Sequence, residues 1–371
     1  MSTDLLIRDD RGFYCPPGDF YVDPWRPVDR AVITHAHSDH ARWGHRNYLT
    51  TPEGAGVLRV RMGPSAQIDT VAYGRSIDRN GVRISLHPAG HVLGSAQVRI
   101  EHRGQVAVVS GDYKTEADAT ATPFEPVRCH LFVSESTFAL PIYRWKPQAA
   151  IFDDINRWWS ANAARGLASV LLAYSLGKSQ RILAGLDPSI GPIYVHGAVE
   201  PLNAAYRCSG IRLPHTEYVA ETVKSAKSSG SRLAWAGAMI VAPPSAMGTP
   251  WMRRFQPLSA AFVSGWMTIR GTRRRQALDK GFALSDHADW PGLLSAIAAT
   301  GAQRVWLTHG YSAVLARHLC DQGLDARSID THFRGEADVA DAEEPAESER
   351  TDPAGTAAAA VADSTENTAA S

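Results

Sequence analysis

The stretch Ala-Val-Ile-Thr-His-Ala-His-Ser-Asp-His, residues 31–40, determines how the rest of the chain is interpreted. Four apolar or β-branched residues precede His35, His37, Asp39 and His40. A strand that ends in a loop directs His35 and His37 to the same side, because alternate residues share a face. Imidazole and carboxylate groups are common ligands of metals that perform hydrolysis. The alternative is a group of surface histidines after an edge strand, but the strand-then-loop context favours a metal site.

Later strands end in residues of the same chemical type. His91 follows Gly90 in a loop between two predicted strands, and Asp112 follows the apolar run 105–109. The segment 131–137 delivers Glu135 in the same way. A carboxylate at such a strand end is suited to bridge two cations. Strands that each end in a metal-type residue predict a sheet with the active site at one edge, the usual location in layered α/β folds.

The length and the charge distribution predict two domains and a tail. Residues 336–371 contain ten acidic residues, one basic residue and no aromatic residue, so this segment is expected to be a disordered acidic tail. The whole chain has 38 acidic and 38 basic residues, and removing the tail leaves 28 acidic and 37 basic. The remaining body is therefore basic, which suits a polyanionic substrate.

Composition argues against a secreted or membrane protein. The N-terminus has no basic and apolar leader pattern, and no run of 18 apolar residues is present. The four cysteines are far apart and form no CxxC pair, which favours a reducing, cytoplasmic setting. Neither membrane contact nor a cysteine-bound metal is expected.

Residues 147–276 change to an alternating α/β pattern, which predicts a second domain with its own parallel sheet. Strands are expected over 168–173, 193–196, 231–236 and 239–242, and a helix over 151–165. A turn at 176–181 opens another helix, and Lys178 at this position is predicted to contact a substrate phosphate. A solvated lysine is the alternative there.

A second candidate contact to the substrate is the basic run of Arg270, Arg273, Arg274 and Arg275 near Trp266. Such a run suits the backbone of a nucleic acid strand, and we single out Arg273 and Arg274 as substrate-binding residues. A solvated basic face is the alternative interpretation.

The motifs together resemble a known family. The set of His35, His37, Asp39, His40, His91 and Asp112 is similar to the metallo-β-lactamase signature. Three further sites resemble the three additional motifs of its nucleic-acid-processing β-CASP branch: Glu135, the segment 285–289 and the segment 307–310. A narrower resemblance is to the bacterial ligase-associated DNA exonucleases, and it rests on residues 14–25, 265–267 and 285–290. Members of that group are also often labelled mRNA 3′-end processing factors.

The resemblance implies a four-layer αβ/βα metallo-β-lactamase fold with an inserted α/β β-CASP domain. The expected divisions are 1–145 for the first part of the metallo-β-lactamase domain and 146–277 for the insertion. Residues 278–335 would complete the first domain, followed by the tail at 336–371. The resemblance covers residues 1 to about 335.

The resemblance also implies roles for individual residues. His35, His37 and His91 would bind the first metal ion, and Asp39, His40 and His309 the second, with Asp112 bridging them. Asp23 would orient the histidine loop. His287, held by Glu135, would protonate the leaving oxygen. The implied cofactors are two divalent metal ions, with zinc favoured by the histidine-rich ligands and manganese as the alternative.

The implied activity is the hydrolysis of DNA strands by an exonuclease in DNA repair. An ATP-dependent DNA ligase and a helicase are the partners that the resemblance implies. The alternative is an RNA-processing nuclease, because RNA-processing relatives usually have a histidine at the position of His309, whereas crosslink-repair DNA nucleases usually lack it. The inserted domain argues against a hydrolase of small molecules, and the full set of expected ligands argues against a catalytically inactive scaffold.

Overall fold

The chain has an α/β fold built on three sheets, as the sequence predicts. The computed structural model describes residues 4–231, 233–269 and 279–332. Arg270, Arg273, Arg274 and Arg275 lie outside the described residues, as does the acidic tail. No helix within the described ranges is long and apolar enough to cross a membrane.

The first sheet contains six strands in sequence order. Its strands are β1 (Ile7–Arg8), β2 (Phe13–Cys15), β3 (Phe20–Val22), β4 (Arg30–Val32), β5 (Asn47–Thr50) and β6 (Ile68–Thr70). β1, β2 and β3 pair antiparallel, whereas β3 to β6 pair parallel. The carboxyl ends of β3 and β4 therefore lie at the same edge of the sheet, and this edge leads into Asp23 and the histidine loop.

The second sheet contains seven strands in the order β19-β18-β11-β10-β9-β8-β7. The strands are β7 (Ser76–Arg79), β8 (Val82–Pro88), β9 (Ala96–His102), β10 (Gln105–Val109), β11 (Leu131–Glu135), β18 (Arg304–Thr308) and β19 (Asp325–Ser328). β10, β11, β18 and β19 are parallel to their neighbours in that group. Parallel pairing brings the carboxyl ends of β10, β11 and β18 to one edge, where β11 ends at Glu135 and where Asp112 and His309 follow β10 and β18.

The third sheet contains six strands, all paired in parallel, in the order β14-β13-β15-β12-β16-β17. The strands are β12 (Ala168–Leu172), β13 (Ile193–Val195), β14 (Glu217–Tyr218), β15 (Met239–Ala242), β16 (Leu258–Val263) and β17 (Lys280–Phe282). The predicted insertion ended at residue 277, whereas this sheet takes one further strand, β17, beyond that position. Pairing of Phe262 with Gly281 places β17 in the third sheet.

The prediction of a strand over 231–236 is wrong. The described residues of this segment are irregular, and they end in a turn at Ala236 and Gly237. The apolar character of the segment has another cause. The Trp235 ring packs edge-to-face on Phe255, with ring centroids 4.9 Å apart, and it therefore fills the core without joining the sheet.

Helices cover the faces of the sheets. The α-helices are α1 (Pro52–Met62), α2 (Gln148–Ala164), α3 (Lys178–Gly185), α4 (Glu200–Cys208), α5 (Val219–Ser229), α6 (Pro250–Arg253), α7 (Trp290–Thr300) and α8 (Ser312–Asp321). Short 3-10 turns occur at Pro244–Ala246 and Gly265–Thr268. Several helix starts follow local rules: Thr51 caps α1 by accepting from Gly54 N, and Asp289 caps α7 by accepting from Gly292 N.

The buried clusters define the layers. α1 and α4 pack on the outer face of the first sheet, around Leu58 and Tyr206. The inner faces of the first and second sheets pack together, and α7 and α8 cover the outer face of the second sheet. The first two sheets thus lie between helical layers. The third sheet has α2 and α3 on one face and α5 on the other.

Candidate metal centre

The loops at the carboxyl ends of strands from the first two sheets converge on one buried cluster. His35, His37 and His91 come together with Asp112, although His91 and Asp112 are more than 50 residues away in sequence from His35. One potential ligand atom from each of the four lies within 4.8 Å of the others. His37 is half-buried and the other three are buried.

The nitrogens that meet in this cluster are specific. His37 Nδ1 lies 3.1 Å from His35 Nε2 and 3.0 Å from His91 Nε2. Asp112 Oδ2 lies 3.4 Å from His35 Nε2 and 3.7 Å from His91 Nε2. Three nitrogens and one carboxylate oxygen therefore lie close together, and such a donor set can hold a divalent metal ion.

The outward-facing nitrogens of the same histidines are held by protein oxygens. His91 Nδ1 donates to the carbonyl of Asp286 at 2.8 Å. His37 Nε2 donates to the carbonyl of Leu176 at 3.2 Å, a contact from the loop that follows β12. His35 Nδ1 contacts Thr34 Oγ1 at 3.1 Å. Hydrogen bonds of this kind fix the tautomer and the ring orientation of a metal-binding histidine.

The residues expected at the second metal ion lie on the other side of Asp112. Asp112 Oδ1 is 3.4 Å from His40 Nε2 and 3.2 Å from His309 Nε2. Asp39 Oδ2 is 3.8 Å from His40 Nε2. The two oxygens of one carboxylate thus face two different histidine groups, which is the geometry that a bridging ligand requires.

The electrostatics of the cluster follow from burial and from Asp112. Burial, with neighbouring His35 as the next cause, lowers the pKa of His37 to about 3. Burial likewise holds the pKa of His91 well below its usual value, with His287 as the next cause. Metal ions bind neutral imidazole, so a lowered pKa keeps these nitrogens available as ligands. Burial acts against ionisation of Asp112, but His40, His309 and His35 together outweigh it and hold the pKa of that carboxyl well below its usual range.

Asp23 connects the histidine loop to the end of β3. Its Oδ2 accepts from His40 Nδ1 at 2.7 Å and from Thr34 Oγ1 at 2.5 Å, and its Oδ1 accepts from Thr34 N at 2.8 Å. Asp23 itself has a φ of 44°, a backbone conformation that is uncommon outside glycine. Such conformations persist where surrounding contacts enforce them, and they occur often at functional sites.

Two glycines allow the strand ends to approach one another. Gly111 has a φ of 57°, and a Cβ at this position would lie 2.5 Å from Thr34 Oγ1. Gly310 has a φ of 70°, and its Cβ would lie 2.4 Å from the carbonyl of Ser136. His309 precedes Gly310 and has a φ of 26°. The turn that presents His309 therefore depends on a neighbour without a side chain.

His287 and Glu135 form a buried pair beside the histidine cluster. His287 Nδ1 donates to Glu135 Oε2 at 2.8 Å, and Glu135 Oε1 accepts from Tyr113 N at 2.7 Å. The ring centroid of His287 is 4.7 Å from that of His91. Potential ligand atoms of His287, Glu135 and Asp112 also lie within 4.8 Å of one another, so this trio is a second group able to bind a cation.

Lys178 differs from its expected role. The side chain is fully buried, and Nζ lies 3.3 Å from Asp286 Oδ2. The ammonium group therefore has no exposed surface to offer to a phosphate. The expectation of a phosphate contact at Lys178 is corrected to an internal ion pair. Lys178 is buried because the N-terminus of α3 lies against the 285–289 loop and does not face solvent.

Sequence reasoning missed the network to which Lys178 belongs. Arg181 Nη1 donates to Asp286 Oδ1 at 3.0 Å and also to the carbonyl of Ser285. Arg181 Nε lies 3.5 Å from Asp118 Oδ2, and Lys114 Nζ lies 3.6 Å from the same oxygen. Burial raises the pKa of Asp286, but Lys178 and Arg181 outweigh it and hold that pKa below its usual value. The spacing of Lys178 and Arg181 on α3 was the available signal, since residues three apart share a helix face.

Comparisons with known proteins give partial matches. No family model matches the chain. A "Probable DNA ligase" of Opitutus terrae is 31% identical over 326 residues, which is 87% of this chain but 31% of the ligase. "Endoribonuclease YSH1" of Saccharomyces cerevisiae is 31% identical over 123 residues, covering 33% of this chain and 16% of that protein. The Aspergillus fumigatus enzyme of the same name is 28% identical over 191 residues, covering 46% and 21%.

This chain thus spans less than a third of the length of each of these curated relatives. A crystal structure of a protein of unknown function from Enterococcus faecalis V583 matches the fold with a TM-score of 0.54 at 13% identity. The match covers 82% of this chain and 80% of that chain. At this identity the likeness concerns the fold alone. The α/β architecture therefore recurs over most of an experimentally solved chain.

Proposed function

We propose that the chain is a two-metal phosphodiesterase of the metallo-β-lactamase β-CASP type that hydrolyses DNA strands, acting as an exonuclease in DNA repair. The observation that carries the proposal is Asp112, whose two oxygens face separate histidine groups at 3.2–3.7 Å. The relatives named as a DNA ligase and as endoribonucleases support an activity on nucleic acid. The basic body of the chain suits the same class of substrate.

The residues of the cluster fit two divalent cations. His35, His37 and His91 would hold the first ion, Asp39, His40 and His309 the second, and Asp112 both. Two such cations lower the pKa of a shared water and neutralise charge on the scissile phosphate. Zinc is the proposed metal because imidazole dominates the donor set, and manganese is the alternative. The hydrogen bonds to the outer nitrogens keep the rings aimed at these positions.

His287 is the proposed general acid. Its Nδ1 donates to Glu135, so the doubly protonated imidazole would present its second proton, on Nε2, to the leaving sugar oxygen. The Glu135 side chain accepts from Nδ1 and holds the imidazole in this orientation. The backbone of Tyr113 holds the other oxygen of Glu135, which fixes the carboxylate in place. Asp286 keeps His91 oriented through its carbonyl and is anchored by Lys178 and Arg181 through its side chain.

The second candidate is an RNA-processing nuclease of the mRNA 3′-end type. It is favoured by His309 and by the relatives named as endoribonucleases. DNA is preferred because the match to the DNA ligase covers 87% of this chain, against 33–46% for the two endoribonucleases above. The proposal that an ATP-dependent DNA ligase and a helicase are partners of this chain rests on the family resemblance of its motifs alone.

The test is a comparison of matched strands. End-labelled DNA and RNA of the same sequence are incubated with the protein and zinc or manganese. Stepwise shortening of DNA from one end is the expected result. Cleavage of RNA alone would select the second candidate. Failure to cut either strand, with metal bound, would contradict the proposed activity.

A further inference from the structure

Aromatic rings form a continuous cluster beside the proposed general acid. Phe138 and Tyr143 are buried, whereas Trp145, Trp266 and Tyr311 are half-buried. The Phe138 ring lies 4.8 Å from Trp266 and 4.9 Å from Trp145, centroid to centroid. Trp266 lies 6.2 Å from Tyr311. The two buried rings therefore form a base on which three partly exposed rings rest.

This cluster adjoins the catalytic groups directly. Trp145 Nε1 donates to the carbonyl of His287 at 2.9 Å, and the Phe138 ring is 5.9 Å from the His287 ring. Tyr311 follows His309 by two residues, and its backbone N–H donates to the carbonyl of Ser136 at 2.9 Å. A strand whose phosphate reaches His287 and His309 would therefore pass the exposed edges of these rings.

The rings are held in place by backbone contacts. A Cβ on Gly265 would lie 2.5 Å from the Phe138 ring, so Trp266 is presented from a turn pressed against that ring. Trp145 N donates to Asp289 Oδ2 at 2.9 Å. Trp266 Nε1 is buried and makes no hydrogen bond to any residue within the described ranges.

Two cations flank one of the rings, Trp145, in the sequence. They are Arg144 and Lys146, and both are exposed. Among the residues that the structure describes, neither makes an ion pair with an acidic side chain. Two cations beside half-exposed rings match the two parts of a nucleic acid strand, because phosphates seek positive charge and bases stack on aromatic faces.

We infer that this aromatic strip, formed by Trp145, Trp266 and Tyr311 with Arg144 and Lys146, binds an unpaired nucleic acid strand next to the metal centre. The rings stack on bases, and the two cations bind the flanking phosphates. Bases within a duplex already stack on one another, so the strip selects an unpaired strand. The inference rests on the proposed function, since it assigns the part of the substrate that adjoins the cleaved phosphate.

The test compares two labelled strands of equal length by fluorescence anisotropy in EDTA, which prevents cleavage. One is an ordinary single-stranded DNA, and the other carries abasic sugars throughout and retains every phosphate. The protein is expected to bind the base-bearing strand at least about tenfold more tightly, a typical contribution of one stacked base. Equal affinity for both strands would overturn the inference without any variant.

Variants then locate the effect. Trp266→Ala is expected to weaken binding of the base-bearing strand about tenfold and to leave abasic binding unchanged. Trp266→Phe keeps a ring and is expected to retain most of the preference. The double variant Arg144→Ala, Lys146→Ala should weaken the binding of both strands alike. The slope of log K against log salt concentration should become shallower by about 1.4, the value for two phosphate contacts on a single strand. A base preference unchanged in folded Trp266→Ala would place the stacking site elsewhere.

Trp306→Ala is the matched control, because its half-buried ring packs on Phe13 at 6.4 Å between the first two sheets, away from the strip. It is expected to keep the base preference of the unmodified protein. Failure of the proposed function has a separate signature: strand binding would persist in EDTA, but added metal would cause no cleavage. Cleavage combined with equal binding of both strands would overturn the aromatic strip alone.

Discussion

The main-chain carbonyl of Asp286 accepts a hydrogen bond from Nδ1 of His91 at 2.8 Å, joining two residues that are 195 positions apart. The Asp286 side chain is held at the same time by Lys178 and Arg181 from α3. A helix on the third sheet thus stabilises the orientation of a proposed metal ligand from the loop between β8 and β9. The third sheet therefore supports the candidate metal centre through α3.

Asp286→Asn is expected to lower both stability and metal affinity. Removing this charge takes one carboxylate away from two buried cations, although Arg181 keeps its contact with Asp118, and the expected cost is about 3–5 kcal/mol in the free energy of unfolding. A displaced carbonyl would also weaken metal binding by about 10–100-fold through His91. Urea unfolding and zinc titration measure the two effects. Asp154→Asn, which breaks an exposed pair with Arg157, is the control and should change the free energy of unfolding by at most about 1 kcal/mol.

His287→Ala is expected to reduce turnover by about 10²–10⁴-fold while the bound metal stays unchanged. The physical reason is that, in the proposed mechanism, the imidazole supplies a proton and does not hold an ion. Metal content by mass spectrometry and strand cleavage are measured on the same sample. His102→Ala, at the end of β9, should retain full activity. Loss of one metal equivalent in His287→Ala would instead assign His287, with Asp112 and Glu135, to a cation site.

Thr34→Val tests the link between Asp23 and His35. The substitution keeps the volume but removes the hydroxyl that contacts both residues. The free energy of unfolding should fall by about 1–3 kcal/mol, and metal affinity should fall about 10-fold. Thr300→Val removes a comparably buried hydroxyl that bonds to Ile297 and Ala302 at the end of α7. This control should lose similar stability and no metal affinity, and an equal loss of affinity in both variants would contradict the assigned link.

Gly111→Ala is expected to destabilise the protein more than Gly104→Ala. Both glycines have positive φ, so both substitutions carry backbone strain of about 1–2 kcal/mol. Only the Cβ at position 111 meets an atom within 4 Å, the Thr34 hydroxyl at 2.5 Å. The difference between the two variants in thermal unfolding isolates that contact. Metal content should fall in Gly111→Ala alone, because Thr34 orients His35.

The sequence predicts the gathering of the proposed ligands well, for a physical reason. Strands with apolar interiors that end in His, Asp or Glu produce local patterns, and parallel pairing brings their carboxyl ends to one edge. His35, His91 and Asp112 meet in the structure on this basis. The pairing of His287 with Glu135 was inferred from a family resemblance, and the 2.8 Å contact matches that expectation in geometry.

The remaining features depend on long-range packing that local patterns do not encode. Lys178 resembled an exposed residue at the start of a helix, but the direction in which α3 points is set by its contact with the 285–289 loop. Trp235 sat in an apolar run that resembled a strand, yet its ring is drawn into the core by Phe255. In both cases a distant segment determined the outcome.

The most direct test of the central claim is the metal content of the unmodified protein and of Asp112→Asn, measured together by mass spectrometry. A carboxylate that bridges two ions predicts two metal equivalents in the unmodified protein and a marked loss of both in the variant, with loss of strand cleavage. A single equivalent that Asp112→Asn leaves unchanged, with cleavage intact, would contradict the two-metal centre.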